Sequence, residues 1–160
     1  MALSLAVLLV PIALVLIFYR VVLSGDSPVA VDPAPALESA RAAGAFPVAA
    51  PAGLGDDWHV TSATFRRADD GATLRLGYVD PDDDPVQLLQ SSVPPATLLP
   101  AELTAEAEAK GTVRTAMGAW RVYDGRPGET ALVLTGTGRT VIVVGSTDTE
   151  NLTAMAESLS

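Results

Sequence analysis

The sequence contains no cysteine. Disulfide bonds, thiolate catalysis and cysteine-ligated metal sites are therefore excluded together, as is a lipid-modified N-terminal cysteine. Histidine occurs once, as His59, which excludes a metal site built from two histidines. No Gly-x-Ser-x-Gly segment that would hold a nucleophilic serine is present, so a Ser-His-Asp hydrolase is not indicated. We interpret His59 as a structural or surface residue of a strand that begins at Trp58.

Basic residues are scarce. The chain carries 10 Lys+Arg against 19 Asp+Glu, a net charge of −9, and Lys110 is its single lysine. Nucleic acid and anionic lipid surfaces are bound by basic faces, so this balance argues against both as partners. We expect no nucleic-acid-binding function.

Polar residues are almost absent from the first 23 positions. Residues 2–19 contain no charge, and at 1.5 Å per helical residue they would span about 27 Å, close to the hydrocarbon thickness of a bilayer. A core helix would show a polar solvent face, and a signal peptide would have a basic leader and an apolar run of only about 7–15 residues. We therefore predict a transmembrane anchor at residues 1–23, in contact with the membrane through residues 2–23.

The anchor carries little information on its orientation. Arg20 is the only basic residue near the apolar run, so the positive-inside rule does not determine the orientation of the anchor. Because no Lys or Arg precedes the run, we expect the true start of translation to lie upstream of Met1.

Residues 24–57 are predicted to form a linker with a short helix. Asp32 can cap a helix that starts at Pro33 and ends near Ala43, since Gly44 follows. Its apolar residues are mostly alanines, so we expect only light packing. Residues 46–55 are rich in Pro, Gly and Ala and are predicted to lack regular structure.

From Trp58 the apolar residues recur with period two, which is typical of strands. We predict an α+β domain at residues 58–160, with one antiparallel sheet of about six or seven strands packed by a C-terminal helix. The predicted strands cover residues 58–65, 73–79, 86–91, 112–117, 119–123, 130–135 and 140–144. Residues 93–99 are predicted to be a loop or helical turn. Residues 100–110 are predicted to be a loose, exposed helical or irregular excursion, because they have almost no apolar face.

The C-terminal helix is predicted at residues 148–159. Thr147 and Glu150 have the spacing of a capping box. Four apolar residues recur at i, i+3, i+4 and i+7: Leu152, Met155, Ala156 and Leu159. We expect this stripe to pack on the preceding hairpin, residues 130–144, whose turn is Gly136-Thr137-Gly138-Arg139.

The acidic segment at residues 80–85, DPDDDP, is the strongest candidate for a metal site. Carboxylates at alternate positions could bind Ca²⁺ as in an EF-hand loop. However, Pro85 stands where that loop needs Gly, and Ser91 stands where it needs a bidentate Glu. We therefore interpret the segment as a solvated turn, and assign no catalytic, cofactor-binding or metal-ligating residue in the chain and no cofactor.

Few aromatic residues are present, and five of them fall on or beside predicted strands: Trp58, Phe65, Tyr78, Trp120 and Tyr123. We interpret them as the large core residues that a small sheet needs. The alternative is a groove on the sheet's other face that holds an acyl chain or a peptide.

Six segments carry a family resemblance: SLAVLLVPIAL at residues 4–14, VDPAPAL at 31–37, FPVAAPAGLGDDWHVTSATF at 46–65, LRLGYVDPDDDPVQLLQS at 74–91, WRVYDG at 120–125 and TVIVVGSTDTENLTAMAESL at 140–159. On these segments the chain resembles the actinobacterial single-anchor membrane proteins of domain-of-unknown-function family 4245. The resemblance implies a single-pass plasma-membrane protein of the cell envelope, with its domain outside the cytoplasm. It implies no activity and no functional residue.

Three function classes remain open. We favour an envelope protein that is not an enzyme and acts as an interaction or structural module with a protein partner. The second class is a binding module for a lipid or other apolar ligand held between the sheet and the C-terminal helix. The third is a hydrolase that uses carboxylates such as Asp80, Asp124 or Glu129, two of which would have to converge in a cleft with shifted pKa values.

Overall fold

The computed structural model describes residues 30–104 and 107–160. The predicted anchor, residues 1–23, and the first part of the predicted linker lie outside these residues. Within the described part of the chain, no helix is both long enough and apolar enough to cross a membrane.

Seven antiparallel strands form one sheet, which confirms the predicted α+β class and strand number. The strands are β1 (His59–Ala68), β2 (Gly71–Val79), β3 (Pro85–Ser91), β4 (Ala109–Thr115), β5 (Gly118–Asp124), β6 (Thr130–Gly136) and β7 (Arg139–Gly145). Their order across the sheet is β1-β2-β3-β7-β6-β5-β4. Two meanders, β1–β3 and β4–β7, are thus joined along β3 and β7, while β1 and β4 are the two edges.

Three helices cover the sheet: α1 (Ala34–Ala43), α2 (Pro95–Glu102) and α3 (Thr149–Ser158). Side chains of β2 alternate in and out of the core, with Leu74 and Leu76 fully buried on one face. Residues of α1 and α3 pack on that face, which we call the two-helix face. Leu98 of α2 packs with Leu89 and Ile142 on the opposite face, which we call the α2 face.

The C-terminal helix packs on the sheet as predicted. Leu152, Met155 and Ala156 are fully buried, and α3 contacts β6 and β7. The predicted cap is wrong by one residue: Asp148 is the N-cap, and its carboxylate accepts a hydrogen bond of 2.9 Å from the amide of Asn151. Asp and Thr are both good caps, so the local sequence does not separate them.

Helix α1 starts at Ala34, one residue after the prediction. The carboxylate of Asp32 accepts a hydrogen bond from the amide of Ala34, and Gly44 ends the helix in a left-handed conformation with φ of 61°. Ala40 is the only fully buried residue of the helix. The light packing expected from its alanines is therefore observed, on the two-helix face.

The segment after α1 has no helix or strand of its own, as predicted, yet it is part of the core. Phe46 and Ala49 are buried on the two-helix face. The buried side chain of Gln90 pairs with Ala49 as a strand would, accepting from its amide at 2.9 Å and donating to its carbonyl at 2.6 Å. Ala50 then exchanges backbone hydrogen bonds with Ser160.

The predictions for residues 93–110 are confirmed in part: the helical turn is an eight-residue helix, and residues 108–110 after it are exposed, but Leu103 is buried. Helix α2 reaches Glu102, β4 already begins at Ala109, and Leu98 and Leu103 are buried against the α2 face. Pro95 occupies a first-turn position, where its missing amide is harmless, whereas Pro100 lies inside the helix. The apolar contacts with the sheet stabilise a helix that its own sequence does not favour.

We expect Gln90→Ala to lower the free energy of unfolding by about 2–3 kcal/mol, because the buried amide and carbonyl of Ala49 would both lose their partner. Urea unfolding of the full chain in detergent measures this loss. Gln87→Ala is the matched control, since Gln87 is only half-buried on the α2 face and accepts one long hydrogen bond of 3.3 Å. Equal losses in the two variants would contradict the structural role of Gln90.

Candidate functional site

The acidic segment after β2 is a turn between strands, and Asp82 and Asp83 are exposed as the sequence predicts, but Asp80 is buried. Asp80 is only 2 % exposed. One carboxylate oxygen accepts from the amides of Asp82 and Asp84, both at 2.9 Å, and the other accepts from the side-chain nitrogen of Asn151 at 2.9 Å. Asp80 therefore ties the β2–β3 loop to the first turn of α3.

Hydrogen bonding controls the charge of this buried carboxylate. Burial would raise the pKa of Asp80, but hydrogen bonds from the Thr147 hydroxyl, from the amides of Asp84 and Asp82 and from the Asn151 side chain outweigh it, so the pKa lies below its ordinary value. Asp80 is held as a carboxylate because its ionised form satisfies these donors.

The geometry does not favour the Ca²⁺ hypothesis. Asp80 and Asp82 converge, but on the side-chain nitrogen of Asn151, which lies 2.9 Å from an oxygen of each carboxylate. Among the described residues, no three or more histidine, cysteine or carboxylate side chains are placed to hold a metal ion.

The other carboxylates considered for hydrolysis lie around the β5–β6 turn. Asp124 forms an exposed ion pair with Lys110. The Glu129 side chain accepts a hydrogen bond of 3.3 Å from the amide of Arg126, within the same turn. His59 starts β1 and is half-buried. Asp124 and Glu129 line the same pocket at this turn, whereas the described hydrogen bonds and ion pairs do not join Asp80 to either of them.

The aromatic residues contribute mainly to the core. Trp120 is fully buried and donates from its indole nitrogen to the Thr115 hydroxyl at 3.0 Å. Tyr78 is buried edge-on to Trp58, with 6.4 Å between ring centroids, and burial raises the pKa of Tyr78 to about 12. Phe65 also packs on the two-helix face. Tyr123 instead joins the smaller cluster on the α2 face.

The α2 face brings together residues that are far apart in the chain. One row across it takes a residue from every strand: Thr64, Arg75, Leu89, Ile142, Val133, Arg121 and Thr112. The next row carries Arg66 on β1, two residues from Thr64, and Arg114 on β4, two residues from Thr112. Each outer hairpin thus presents two arginines as diagonal neighbours on the same face.

Helix α2 covers only the centre of this face. Leu98 and Leu103 lie over the apolar middle of the sheet, so the arginines at its flanks remain beside the helix rather than beneath it. Arg66, Arg114 and Arg121 are exposed, and within the described residues none of them forms an ion pair.

A cleft of about 450 Å³ opens between α2 and the β1–β2 hairpin. Arg66 and Arg75 line its sheet side, and Thr97, Ala101 and Glu102 line its helix side. The guanidinium of Arg75 meets the Glu102 carboxylate with two hydrogen bonds, at 2.5 and 2.7 Å, and this contact raises the pKa of Arg75. Arg75 is therefore held by the protein, whereas Arg66 is available to a ligand.

The sequence does not by itself predict this face. A signal was present, because the pattern Thr-apolar-Arg occurs three times, at residues 64–66, 73–75 and 112–114. Period-two alternation puts the threonine and arginine of each copy on one face of a strand. The sequence alone does not say that the three strands present these residues on the same face of one sheet.

A family model described as "Protein of unknown function (DUF4245)" matches residues 1–159. The match confirms the predicted family. No curated protein matches the chain.

We expect Asp80→Asn to lower the free energy of unfolding by about 2 kcal/mol at neutral pH. The side-chain nitrogen of the new asparagine would replace one acceptor oxygen and, being itself a donor, would face the donors that surround Asp80. The folded-state pKa is lowered, so the stabilisation is present above the ordinary aspartate pKa of about 4 and is lost as pH falls through the folded value.

Denaturant unfolding between about pH 7 and pH 3 checks this prediction. Asp83→Asn is the control, since Asp83 is exposed and its φ of 66° suits asparagine equally well. A pH-independent difference between wild type and Asp80→Asn would contradict the ionic role of Asp80.

We expect a double-mutant cycle of Arg75→Ala and Glu102→Ala to give a coupling of about 1 kcal/mol that falls with added salt, because the contact is bidentate but partly exposed. The exposed Lys110–Asp124 pair is the comparison, and its coupling should be smaller. A coupling at Arg75–Glu102 no larger than at Lys110–Asp124 would show that the cleft is not fixed by this contact.

Proposed function

This chain belongs to the DUF4245 family, and we propose that it is a non-enzymatic interaction module of the cell envelope. In this proposal residues 2–23 anchor it in the plasma membrane, and the described domain lies outside the cytoplasm. The domain contacts a protein partner through the α2 face.

The distribution of charge on the sheet carries this proposal. The chain has a net charge of −9, yet four of its ten basic residues lie at strand positions on the α2 face: Arg66, Arg75, Arg114 and Arg121. The seven described strands contain a single acidic residue, Asp124, which shares the two-helix side of β5 with Trp120. Arginine is enriched at protein interfaces, and complementary charge selects partners there.

The positions of the carboxylates support a non-enzymatic role. Asp80 is committed to holding the β2–β3 loop against α3, and Asp124 is paired with Lys110. A carboxylate hydrolase would need two such groups converging in one cleft. The cleft beside α2 is lined by Asp70 and Glu102, and Glu102 is engaged with Arg75. Asp124 and Glu129 line a second pocket at the β5–β6 turn, where Asp124 is engaged with Lys110.

The packing of α3 bears on the apolar-ligand alternative. Leu152, Met155 and Ala156 fill the space between α3 and the sheet and are fully buried. The cleft of about 450 Å³ opens on the opposite face and is lined by threonines and charged residues as well as apolar ones. These observations favour a protein partner over a lipid.

The membrane anchor is supported by composition. Residues 2–19 are uncharged, and as a helix they would match the hydrocarbon thickness of a bilayer. The domain that follows is acidic, which disfavours adsorption to an anionic membrane surface. A domain that is anchored but does not adsorb to the membrane surface leaves its α2 face accessible to a partner protein.

Site-specific photo-crosslinking in native membranes tests the proposal. We expect a crosslinker at exposed Thr64 or Thr112, on the α2 face, to give a discrete protein adduct. The same crosslinker at exposed Glu157, on α3, should give none. The adduct from Thr64 should decrease when Arg66 is replaced by serine, because Arg66 lies beside Thr64 on β1. The adduct from Thr112 should decrease when Arg114 and Arg121 are replaced by serine, because both lie beside Thr112.

The outcomes of this experiment are distinct. An equal adduct from Glu157, or an adduct that persists in all the arginine variants, would contradict the α2 face as the interface. Intact mass of the membrane-extracted protein, measured on the same sample, shows whether residues 2–23 are retained. Loss of these residues would contradict the anchor.

A further inference from the structure

We infer that the outer edge of β1 takes an acidic, extended segment of a partner protein, which pairs with β1 as an eighth strand and places a carboxylate on Arg66. This inference rests on the proposed interaction function and names where and with what chemistry the partner is bound.

The edge of β1 is available for pairing. β1 is ten residues long and lies at one end of the sheet. In the described chain its outer side receives one backbone hydrogen bond, from the amide of Val31 to the carbonyl of Val60 at 2.8 Å. Between Ser62 and Ala68, alternate residues therefore present unpaired amides and carbonyls to the outside.

The second half of β1 lacks three features that often protect an edge strand, namely a bulge, a proline and a lysine, although it carries the charged Arg66 and Arg67. Its register with β2 is unbroken from Ser62 to Ala68, and the bulge lies before it, between Val60 and Ser62. This half contains no proline or lysine. The other edge strand, β4, has a bulge and a lysine, Lys110, near its start. Of the two edges, β1 offers the longer regular stretch for strand addition, from Ser62 to Ala68 compared with Gly111 to Thr115 in β4.

Charge selects the partner. Arg66 points to the α2 face and Arg67 to the opposite face, since neighbouring residues of a strand alternate. Both side chains are exposed and form no ion pair within the described residues. An added strand with acidic residues at alternate positions would present them on the α2 face and place a carboxylate on Arg66 by cross-strand contact. The negative charge of the whole domain disfavours long polyanions, so we expect a short acidic segment.

The cleft beside α2 extends this docking edge. Thr64, Arg66 and Ala68, the residues of β1 that face α2, all line the cleft. Alternate side chains of an added strand would point to the same side and lie along its rim. The Arg75–Glu102 contact closes the inner side of the cleft. Arg66 lies at the rim together with Asp70 of the β1–β2 turn and forms no ion pair within the described residues.

The test uses the full chain in neutral detergent and three labelled, acetylated heptapeptides. TVEVEVT carries the acidic pattern, TVKVKVT reverses its charge, and TVEPEVT keeps the acids but breaks the strand with proline. We expect saturable binding of TVEVEVT by fluorescence anisotropy and much weaker binding of the other two. Arg66→Ser should weaken TVEVEVT by about tenfold, because a charge-assisted hydrogen bond is lost.

The controls separate this contact from general charge attraction. Arg66→Glu should reverse the preference to TVKVKVT, whereas Arg126→Ser, a change at an exposed arginine of the β5–β6 turn, should have no effect. Amides of residues 62–68 should gain protection from hydrogen exchange when TVEVEVT binds. Equal binding of TVEPEVT, an unchanged Kd in Arg66→Ser, or protection confined to β4 and β5 would each overturn the inference.

Two further outcomes identify other occupants. A concentration-dependent dimer of the full chain that Arg66→Glu abolishes would overturn the inference in favour of pairing between two copies. Partner crosslinks from Thr112 but not from Thr64 would overturn the β1 edge while leaving the proposed interaction function standing. The absence of crosslinks from both positions would remove the proposed function itself.

Discussion

The pairing of β3 with β7 is the contact on which the rest of the structure depends. It joins the β1–β3 meander to the β4–β7 meander, and its register sets Leu88 opposite Val143 and Leu89 opposite Ile142. All four side chains are buried, two on each face of the sheet. Because a one-residue slip would exchange the faces of every side chain in one meander, this register also decides which residues the two outer hairpins present together.

The central strands are buried on both faces of the sheet, so their sequences are largely continuous runs of apolar residues. The charged residues of the sheet lie mainly on the outer strands. Residues 140–144 of β7 are TVIVV, whereas residues 64–66 of β1 are TFR and residues 112–114 of β4 are TVR. The helices cover the middle of each face, so an arginine at a flank keeps its guanidinium in water. The basic character of the α2 face is thus a consequence of the same layering that builds the core, in a chain that is acidic overall.

Local patterns predicted the elements well and their ends less well. Period two located all seven strands, and the stripe from Leu152 to Leu159 correctly placed α3 on the last hairpin. Helix α2 is predicted only as a loop or helical turn, because its prolines and its lack of a clear apolar face do not indicate a longer helix, which the sheet stabilises. Asp80 was misread as exposed, because an aspartate-proline-rich turn looks solvated unless the donors supplied by Thr147 and Asn151, some seventy residues later, are known.

The sequence by itself determined the class of the fold, the family, the absence of cysteine chemistry and the apolar segment at residues 2–23, since each follows from composition or from short-range periodicity. Only the tertiary structure decided that Gln90 holds Ala49, that Asp80 joins a loop to α3, and that four of the five arginines of the outer hairpins share one face. The physical reason is the same in each case. These contacts join residues from distant parts of the chain, and their geometry is set by the order and register of strands, which period-two alternation within a single strand does not specify.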